Sequence, residues 1–248
     1  MYKGKTVISI IPARGGSKSV PRKNIQMVGG KPLVAWSILD SVSSKYVDRT
    51  IISTEDGEIA RISNDYGATV IPRPQELAQD NTQTEPVMLQ VLDTIKMAEY
   101  DREDGLQRPD YVVLLEPTGI FRRKTDIDNA IKKIVDEGAD SLVSVYENDV
   151  FYWEDDVDPI NGRHIVKALN YDFTNRPRRQ EKDWEWIENG ALFITKTELL
   201  QREKCRLGGN IVLYEMPKFI SCEIDTVWDL KIANWLIQQK EVLGELQK

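Results

Sequence analysis

Short apolar runs alternate with longer amphipathic stretches through the first 146 residues of the chain. The runs rich in Val, Ile and Leu predict strands at residues 6–11, 49–53, 68–71, 111–115 and 140–146. Apolar positions spaced three and four apart predict the intervening helices at residues 31–43, 56–66, 85–102 and 124–137. Because a helix separates each strand from the next, this order predicts an α/β fold with a mainly parallel sheet covered on both faces.

A second pattern begins near residue 146. Residues 146–187 hold eight of the chain's twenty aromatic residues, interleaved with acidic stretches and with the turn signals Asp158-Pro159 and Asn161-Gly162. We predict a hairpin-rich lobe here rather than another strand–helix unit. Two interpretations of its aromatic side chains stay open, because such residues are enriched at subunit interfaces and also build small local cores.

Strand and helix patterns return beyond the lobe. Residues 191–195 and 211–214 are predicted strands. Residues 226–239 are predicted to form a helix whose apolar face comprises Val227, Leu230, Ala233 and Leu236 or Ile237. Since no repeat, low-complexity tract or linker interrupts the chain, we expect a single domain over residues 1–248 with the lobe at 146–187 as an excursion.

Composition and charge narrow the function classes. A hydrophobic content of 41% provides enough apolar material for a core, and the net charge of −7 argues against a nucleic-acid partner, which would need a broad basic face. The positive charge is concentrated at the start of the chain, where seven Lys and Arg residues precede the first acidic residue, Asp40. A basic segment in an acidic protein points to a localised anion site.

Cysteine and histidine are scarce. Cys205 and Cys222 are the only cysteines and His164 is the only histidine, so neither a disulfide framework nor a zinc site of the usual Cys/His type is expected. The apolar run at residues 7–12 is too short for a membrane span or a signal-peptide core. We therefore expect a cytoplasmic protein without a membrane partner.

The candidate anion site is the loop at residues 14–24, which follows the first predicted strand. Ligands of open α/β sheets bind beyond the carboxyl ends of the strands, so the loop has a suitable location. Gly15 and Gly16 let backbone N–H groups approach an anion, and four cations without an acid suit a triphosphate. The loop matches neither the Walker A pattern nor the dinucleotide G-x-G-x-x-G pattern. Taken alone, it is also compatible with a solvated basic loop.

The same loop resembles a family signature. The string Pro12-Ala-Arg-Gly-Gly-Ser-Lys-x-x-Pro21-x-Lys-Asn24, followed by Gly30-Lys-Pro-Leu33, is similar to that of the acylneuraminate cytidylyltransferases, which make CMP-activated sialic acids and related nonulosonic acids. The similarity continues in order along most of the chain. Its further segments are residues 52–56, 73–74, 77–78, 80, 84, 114–118, 122, 179–180, 189–191 and 223–226.

The resemblance implies a three-layer Rossmann-like nucleotidyltransferase fold with a small inserted dimerisation lobe. It also implies that the anomeric hydroxyl of a 2-keto sugar acid attacks the α-phosphate of CTP, so that a CMP-sugar forms and pyrophosphate leaves. By similarity, Arg14 and Lys23 contact the phosphates and stabilise the leaving pyrophosphate. The other nucleotide-binding residues implied by similarity are Ala13, Gly15, Gly16, Ser17, Lys18, Asn24, Arg73 and Thr84.

Magnesium, or manganese, is the expected cofactor. Glu223 and Asp225 are two residues apart, and on an extended segment that spacing places both carboxylates on the same side, as an oxygen-ligated Mg²⁺ requires. The family usually has Asp-Ile-Asp here, so Asp225 is the expected metal ligand, while Glu223 binds directly, binds through water or takes no part. Two other acidic groups are expected to be solvated surface: Asp126 with Asp128, and Asp155 with Asp156 and Asp158. Asp126 and Asp128 lie in a predicted first helical turn, where acidic side chains are favoured by the helix dipole.

The sugar end of the site is also assigned by similarity. Arg179 and Gln180 would bind the sugar carboxylate, and Thr118, Asn189 and Phe193 would shape the pocket. In the family the arginine can reach across a dimer interface. The resemblance therefore implies a homodimer in which the lobe at 146–187 carries Arg179 into the neighbouring site.

Glu116 departs from the family pattern, whose LLQPTSPLR segment has Gln at this position. By similarity this strand end faces the sugar, and a carboxylate beside a triphosphate and an acidic sugar is unfavourable without a compensating cation. Three interpretations stay open: Glu116 ligates the metal, it binds a basic or hydroxyl-rich group of the sugar, or it pairs with Arg122 or Arg123.

The leading functional hypothesis is a CMP-sugar synthetase whose partners are CTP and an acidic keto sugar. One alternative is a nucleotidyltransferase for another sugar, such as a 3-deoxy-octulosonate or an amino analogue. An alternative of another class is a catalytically idle nucleotide-sugar-binding protein, because function depends on the site and not on the fold.

Overall fold

A computed structural model describes residues 1–100, 108–181 and 185–248, and the side chains of residues 98–100 and 179 are outside that description. The predicted end of the third helix at residue 102 and the aromatic residue Trp184 therefore lie outside the described residues. The other predicted strands and helices are confirmed, with ends that differ by a few residues. No helix within the described ranges is long and apolar enough to cross a membrane.

The secondary-structure elements follow one another in an α/β order. The strands are β1 (Val7–Pro12), β2 (Met27–Val28), β3 (Lys31–Pro32), β4 (Arg49–Thr54), β5 (Thr69–Pro72), β6 (Tyr111–Leu114), β7 (Ser141–Glu147), β8 (Trp153–Val157), β9 (His164–Ala168), β10 (Trp186–Lys196) and β11 (Ile211–Glu215). The helices are α1 (Leu33–Ser43), α2 (Gly57–Asp65), α3 (Thr84–Tyr100), α4 (Asp126–Asp136), α5 (Thr197–Glu203), α6 (Val227–Leu236) and α7 (Lys240–Leu246).

Seven strands form the central sheet in the order β11-β7-β10-β6-β1-β4-β5. Neighbouring strands pair in parallel, except that β10 runs antiparallel to both β6 and β7. The predicted mainly parallel sheet is thus confirmed. The carboxyl ends of β1, β4, β5 and β6 lie side by side, which brings the loops that follow them to one edge of the sheet.

Two apolar layers cover this sheet. In β1, Val7 and Ile11 pack on the side of α1, α2 and α4, whereas Ile8 and Ile10 pack on the side of α3 and α5. Successive strand side chains point to opposite faces, so a strand covered on both faces needs a nearly continuous apolar run, and in β1 only the buried Ser9 departs from it. The resulting three-layer arrangement confirms the α/β prediction.

Side-chain caps fix the start of two helices that flank the site. The Asp56 carboxylate accepts hydrogen bonds from the backbone N–H groups of Glu58 and Ile59 at the start of α2. Thr226 and Asp229 form a capping box at the start of α6. One detail of the predicted α6 face is wrong: Val227 is 46% exposed, because it lies in the first turn outside the contact that buries Ala233.

The expectation that Asp126 and Asp128 are solvated is also wrong. Both lie in the first turn of α4 as predicted, but their exposed fractions are only 0% and 8%. Asp126 accepts hydrogen bonds from Arg123 and from the Tyr214 hydroxyl, and Asp128 accepts them from Ser44 and the Lys45 amide. Neighbouring elements therefore satisfy these carboxylates in place of water.

The lobe contains a hairpin, as predicted. The β8–β9 hairpin, called the arm (residues 153–168), pairs with no further strand of the described chain. Its apolar side chains are largely exposed, among them Trp153, Val157, Ile165 and Val166, each more than half exposed. At its base the rings of Phe151, Tyr171, Trp153 and Phe173 contact one another, with centroid distances of 4.5–5.9 Å. The aromatic residues thus form a small cluster and also leave apolar surface open.

Candidate active site

A cavity of about 200 Å³ lies at the carboxyl ends of the parallel strands. It is bounded by the loop after β1, the segment between β5 and α3, and the turn after β6. The predicted site residues that line it are Arg14, Lys23, Asn24, Arg73, Thr84, Glu116 and Thr118. Residues assigned separately to the nucleotide and to the sugar therefore meet in one cavity.

The cations of the basic loop are paired with acids that are distant in sequence. Arg14 and Lys18 both bind the Asp80 carboxylate, at 2.9 and 2.6 Å. The Gly15 amide donates a 2.7 Å hydrogen bond to Glu55. An incoming anion would compete with Asp80 and Glu55 for these donors, because carboxylates and phosphates prefer the same partners.

Two more pairs hold the end of the loop. Arg22 binds Asp56 and Glu58, at 3.1 and 2.9 Å. Lys23 is mostly buried and binds Asp225, with 3.0 Å between Nζ and Oδ1. The loop is therefore electrostatically compensated within the folded chain and is not a free solvated basic segment.

The rest of the loop differs in exposure. Ala13 is fully buried in the core, and its amide donates to the Ser53 carbonyl oxygen. Gly16 and Lys18 are exposed, and Ser17 is half-buried. Ala13 thus supports the loop through its backbone, while residues 16–18 present groups to solvent.

Arg73 and Asn24 form the inner wall of the cavity. Arg73 is 7% exposed and donates to the hydroxyl and the carbonyl oxygen of Ser53, at 3.2 and 2.7 Å. Burial lowers the pKa of Arg73, although the nearby Glu55 and Glu116 oppose that shift. The side-chain amide of Asn24 donates a 2.8 Å hydrogen bond to the Arg14 carbonyl oxygen, which fixes the turn that carries Arg14.

Glu223 and Asp225 lie on the segment that leads into α6. Asp225 precedes the capping box and is 64% exposed on its side chain. The Glu223 carboxylate covers Gly190 so closely that a Cβ built there would lie 1.6 Å from Oε1. Burial raises the pKa of Glu223, and the neighbouring Asp225 and Glu188 carboxylates raise it further.

This pair fits a hard divalent cation. The Asp225 charge raises the pKa of Glu223, so a shared cation would relieve the repulsion that Glu223 experiences, and Mg²⁺ commonly takes one or two protein carboxylates beside substrate phosphates. Within the described ranges, no group of three or more His, Cys, Asp or Glu side chains is arranged to hold a metal. A metal at this site would therefore depend on ligands from the substrate as well.

Glu116 does not form the predicted pair with a neighbouring arginine. Arg122 donates to the backbone carbonyl oxygen of Glu116 and pairs with Asp40, and Arg123 pairs with Asp126. No cation of the described chain lies within 4 Å of the Glu116 carboxylate, so this interpretation is wrong. Burial raises the pKa of Glu116, and the more distant Arg206 is the strongest opposing charge.

Three predicted sugar-site residues, Asn189, Phe193 and Gln180, do not line this cavity. Asn189 is buried and bonds Ser144, the Ala191 amide and Ser221. Phe193 is 2% exposed and packs in the core under the Arg206 guanidinium. Gln180 lines a different cavity of about 410 Å³, beside Glu147 and Lys218. Arg179 begins a short 3-10 turn, and its side chain is outside the described residues.

Three contributors to the site were missed by sequence reasoning. Glu55 accepts a hydrogen bond from the Gly15 amide, Asp80 pairs with two loop cations, and the Arg206 charge opposes the raised pKa of Glu116. Asp80 and Glu55 lie in segments that carried the family resemblance, which was the available signal. Arg206 had none, because nothing in its local sequence indicates that its charge acts on a residue 90 positions earlier.

Known proteins are similar to this chain along most of its length. A family described as Cytidylyltransferase matches residues 8–243. N-acylneuraminate cytidylyltransferase A of Danio rerio is 32% identical over 94% of this chain, and this chain spans only 51% of that protein. Pseudaminic acid cytidylyltransferase of Campylobacter jejuni is 26% identical over 92% of this chain and 95% of its own length.

A solved structure supports the fold. CMP:2-keto-3-deoxy-manno-octonic acid synthetase complexed with CTP superposes with a TM-score of 0.69, at 17% identity, over 95% of this chain and all of that one. The chain spans about half the length of the first vertebrate relatives that it matches. With the family match covering nearly all of its residues, the chain belongs to the cytidylyltransferase family.

Proposed function

We propose that this protein transfers CMP from CTP to the anomeric hydroxyl of a 2-keto sugar acid, such as a sialic or related nonulosonic acid, and releases pyrophosphate. The observation that carries the proposal is the single cavity that joins Arg14, Lys23 and Arg73 to Glu116 and Thr118. Family membership and the named activities of the relatives support it.

The nucleotide end would work by positioning and charge neutralisation. The sugar hydroxyl oxygen forms a bond to the α-phosphorus, the bond to the β-phosphate oxygen breaks, and the hydroxyl proton is released. Arg14 and Lys23 would bind the phosphates and stabilise the charge that develops on pyrophosphate. Arg73, Asn24 and Thr84 would hold the cytidine part in place.

A divalent cation, Mg²⁺ or Mn²⁺, would be held by Asp225 and Glu223 together with substrate phosphates. When bound, it would neutralise phosphate charge. Lys23 Nζ lies 3.0 Å from Asp225 Oδ1. We propose that Lys23 transfers from Asp225 to a phosphate oxygen as CTP enters, which frees Asp225 for the metal.

The sugar end would be completed by a second copy of the chain. The exposed apolar side chains of the arm provide surface for a homodimer, and Gln180 lines a cavity other than the one that holds Glu116. We propose that the partner supplies Arg179 and Gln180 to the sugar carboxylate. Light scattering of wild type and of Val166→Asp tests this: a wild-type monomer with full activity would contradict it.

Glu116 would then select the sugar or support the metal. Its carboxylate lines the cavity without a partner cation within 4 Å, so it can accept hydrogen bonds from a hydroxyl or an ammonium group. The metal and sugar interpretations differ in kinetics. A Glu116→Gln variant with changed metal dependence supports the first, one with changed sugar preference supports the second, and one with neither change contradicts both.

The test of the activity is pyrophosphate release from CTP, UTP, ATP and GTP with a panel of keto sugar acids, with and without Mg²⁺. We expect release with CTP and at least one sugar acid. Lys23→Gln should abolish most of the activity, whereas the matched control Lys31→Gln, which alters a lysine stacked on Trp36 outside the cavity, should not. Tight CTP binding without release for any sugar would contradict catalysis and favour an idle binding protein.

A further inference from the structure

Arg122 makes an unusually complete set of contacts for a buried side chain. Its side chain has no exposed area. Nε donates to the Ala191 carbonyl oxygen at 2.7 Å, and Nη2 donates to the Glu116 carbonyl oxygen at 2.9 Å. Nη1 lies 3.1 Å from the Ser37 hydroxyl and 3.3 Å from the Asp40 carboxylate. All three guanidinium nitrogens therefore have protein partners, and Arg122 does not line the cavity of the candidate site.

These contacts join three elements at the sugar end of the cavity. Glu116 follows β6, Ala191 belongs to β10, and Ser37 and Asp40 belong to α1. The Ser37 hydroxyl also lies 3.2 Å from the Glu116 carbonyl oxygen, so that oxygen is held from two sides. We call Arg122 with these four partners the clamp.

The turn held by the clamp packs tightly against β10. A Cβ added to Gly119 would lie 3.0 Å from Ala191 Cα, so a side chain here would push the turn and β10 apart by a few tenths of an ångström. The Gly119 amide donates back to the Glu116 carbonyl oxygen at 3.3 Å. The backbone of the turn that carries Glu116 and Thr118 is therefore in close contact with β10.

The same turn also supports the carboxylate segment. The Ile224 amide donates to the Thr118 carbonyl oxygen at 3.2 Å, and Ile224 stands between Glu223 and Asp225. By contrast, the nucleotide-side groups are held by other partners: Arg14 by Asp80, Asn24 by the Arg14 backbone, and Arg73 by Ser53. The clamp thus contacts the turn that carries Glu116 and Thr118 and, through Thr118, the carboxylate segment, and it reaches the nucleotide loop only indirectly, through the Lys23–Asp225 pair.

We infer that Arg122 is a positioning residue, which sets Glu116 and Thr118 for the sugar substrate without touching that substrate. The inference rests on the proposed function. Lysine cannot take this place, because an ammonium group is a single point charge, while the guanidinium directs donors along fixed planar directions to three separated acceptors. The Asp40 carboxylate balances the buried charge, which a neutral side chain at position 40 would leave uncompensated.

The test compares Arg122→Lys with the matched control Arg123→Lys. Arg123 is the adjacent arginine and is also ion-paired with an aspartate, but its partners are Asp126 and Glu245, away from the cavity. We expect Arg122→Lys to lower kcat by about 10- to 100-fold, because small displacements of positioned groups have effects of that size. The Kd for CTP should stay within about twofold, and Arg123→Lys should change neither quantity.

Ser37→Ala provides a second variant in case Arg122→Lys does not fold. It removes one partner of Arg122 and one contact to the Glu116 carbonyl oxygen, and it keeps the charge pair with Asp40. We expect a smaller change of the same kind, with an altered kcat or sugar KM and an unaltered Kd for CTP. A kcat and sugar KM equal to wild type in both variants, or an equal loss of CTP binding, would overturn the inference.

A readout that does not need turnover separates this inference from the proposed function. Amide hydrogen exchange at Gly119 and Ile224 should become faster in Arg122→Lys and not in Arg123→Lys, because the turn loses its anchor. If wild type releases no pyrophosphate while this exchange difference is present, the proposed function fails and the clamp stands. If wild type is active and the exchange at both amides is unchanged, the clamp inference fails.

Discussion

Replacing Gly190 with alanine should have two effects: backbone strain, which lowers stability, and displacement of the Glu223 carboxylate, which changes activity. Gly190 has φ +60° and lies where the pairing of β10 with β7 shifts register between Glu188 and Phe193. An alanine in this left-handed conformation costs about 1–2 kcal/mol. Its Cβ would also lie 1.6 Å from Glu223 Oε1, so the flexible carboxylate must move. We expect a moderate loss of stability together with a specific loss of metal-dependent activity.

The matched control is Gly138→Ala. Gly138 has φ +65°, and a Cβ added there meets nothing within 4 Å, so it carries the backbone cost alone. For a chain of this size, 1 kcal/mol corresponds to about 2–4 °C in Tm. Both variants should therefore lose about 2–8 °C in thermal unfolding, because the clash at Gly190 is relieved by moving the end of Glu223.

The assay that distinguishes them is the rate of pyrophosphate release as a function of Mg²⁺ concentration. Gly190→Ala should need about 10-fold more Mg²⁺ than wild type for half-maximal rate, a size typical of disturbed metal sites. Gly138→Ala should need the same Mg²⁺ concentration as wild type. Adding Glu223→Ala to Gly190→Ala should have little further effect, since both act on one group. Identical Mg²⁺ dependence in the two glycine variants would refute the reasoning and make Glu223 a spectator.

Three further predictions concern charge and packing. Asp80→Asn frees Arg14 and Lys18 for phosphate, so calorimetry at low salt should show CTP binding about two- to fivefold tighter; weaker binding would mean that Asp80 positions the cations instead. Burial raises the pKa of Glu116, so the activity of wild type should fall with pH in a range above the pKa of an ordinary carboxyl group. The activity of Glu116→Gln, whatever its level, should not change with pH in that range. A pH–rate profile that falls over the same acidic range in both proteins would contradict this prediction. Met88 is fully buried, so Met88→Ala should lower the free energy of unfolding in urea by about 2–5 kcal/mol. A decrease of less than about 1 kcal/mol would mean that Met88 is not closely packed in the core.

Much of the fold followed from local pattern alone. The alternate burial of Val7, Ile8, Ile10 and Ile11 is encoded in one short run that is apolar except for Ser9, because a strand covered on both faces has few polar positions. The α4 helix was equally clear, since its apolar positions recur at helical spacing. The basic loop after β1 was found for the same reason: adjacent residues carried both its placement and its charge.

The neighbours of each strand were not encoded in this way. β10 lies between β6 and β7 and runs against both, yet its sequence reads as an ordinary buried strand. Periodicity shows which faces of a strand are covered, and it carries no information about which strands pair with it. The burial of Asp126 and Asp128 could not be predicted for a related reason. Their hydrogen-bond partners, Tyr214 and Ser44, belong to elements that are distant in sequence.

By itself, the sequence determined the strand–helix order, the position of the phosphate loop and the residue types available for chemistry. Only the tertiary structure decided which acids meet which cations, such as Lys23 with Asp225 across 202 residues, or which carbonyl groups Arg122 holds. The physical reason is range. Periodicity and turn chemistry act over a few residues, whereas ion pairs and buried hydrogen bonds are selected by packing between segments that are far apart along the chain.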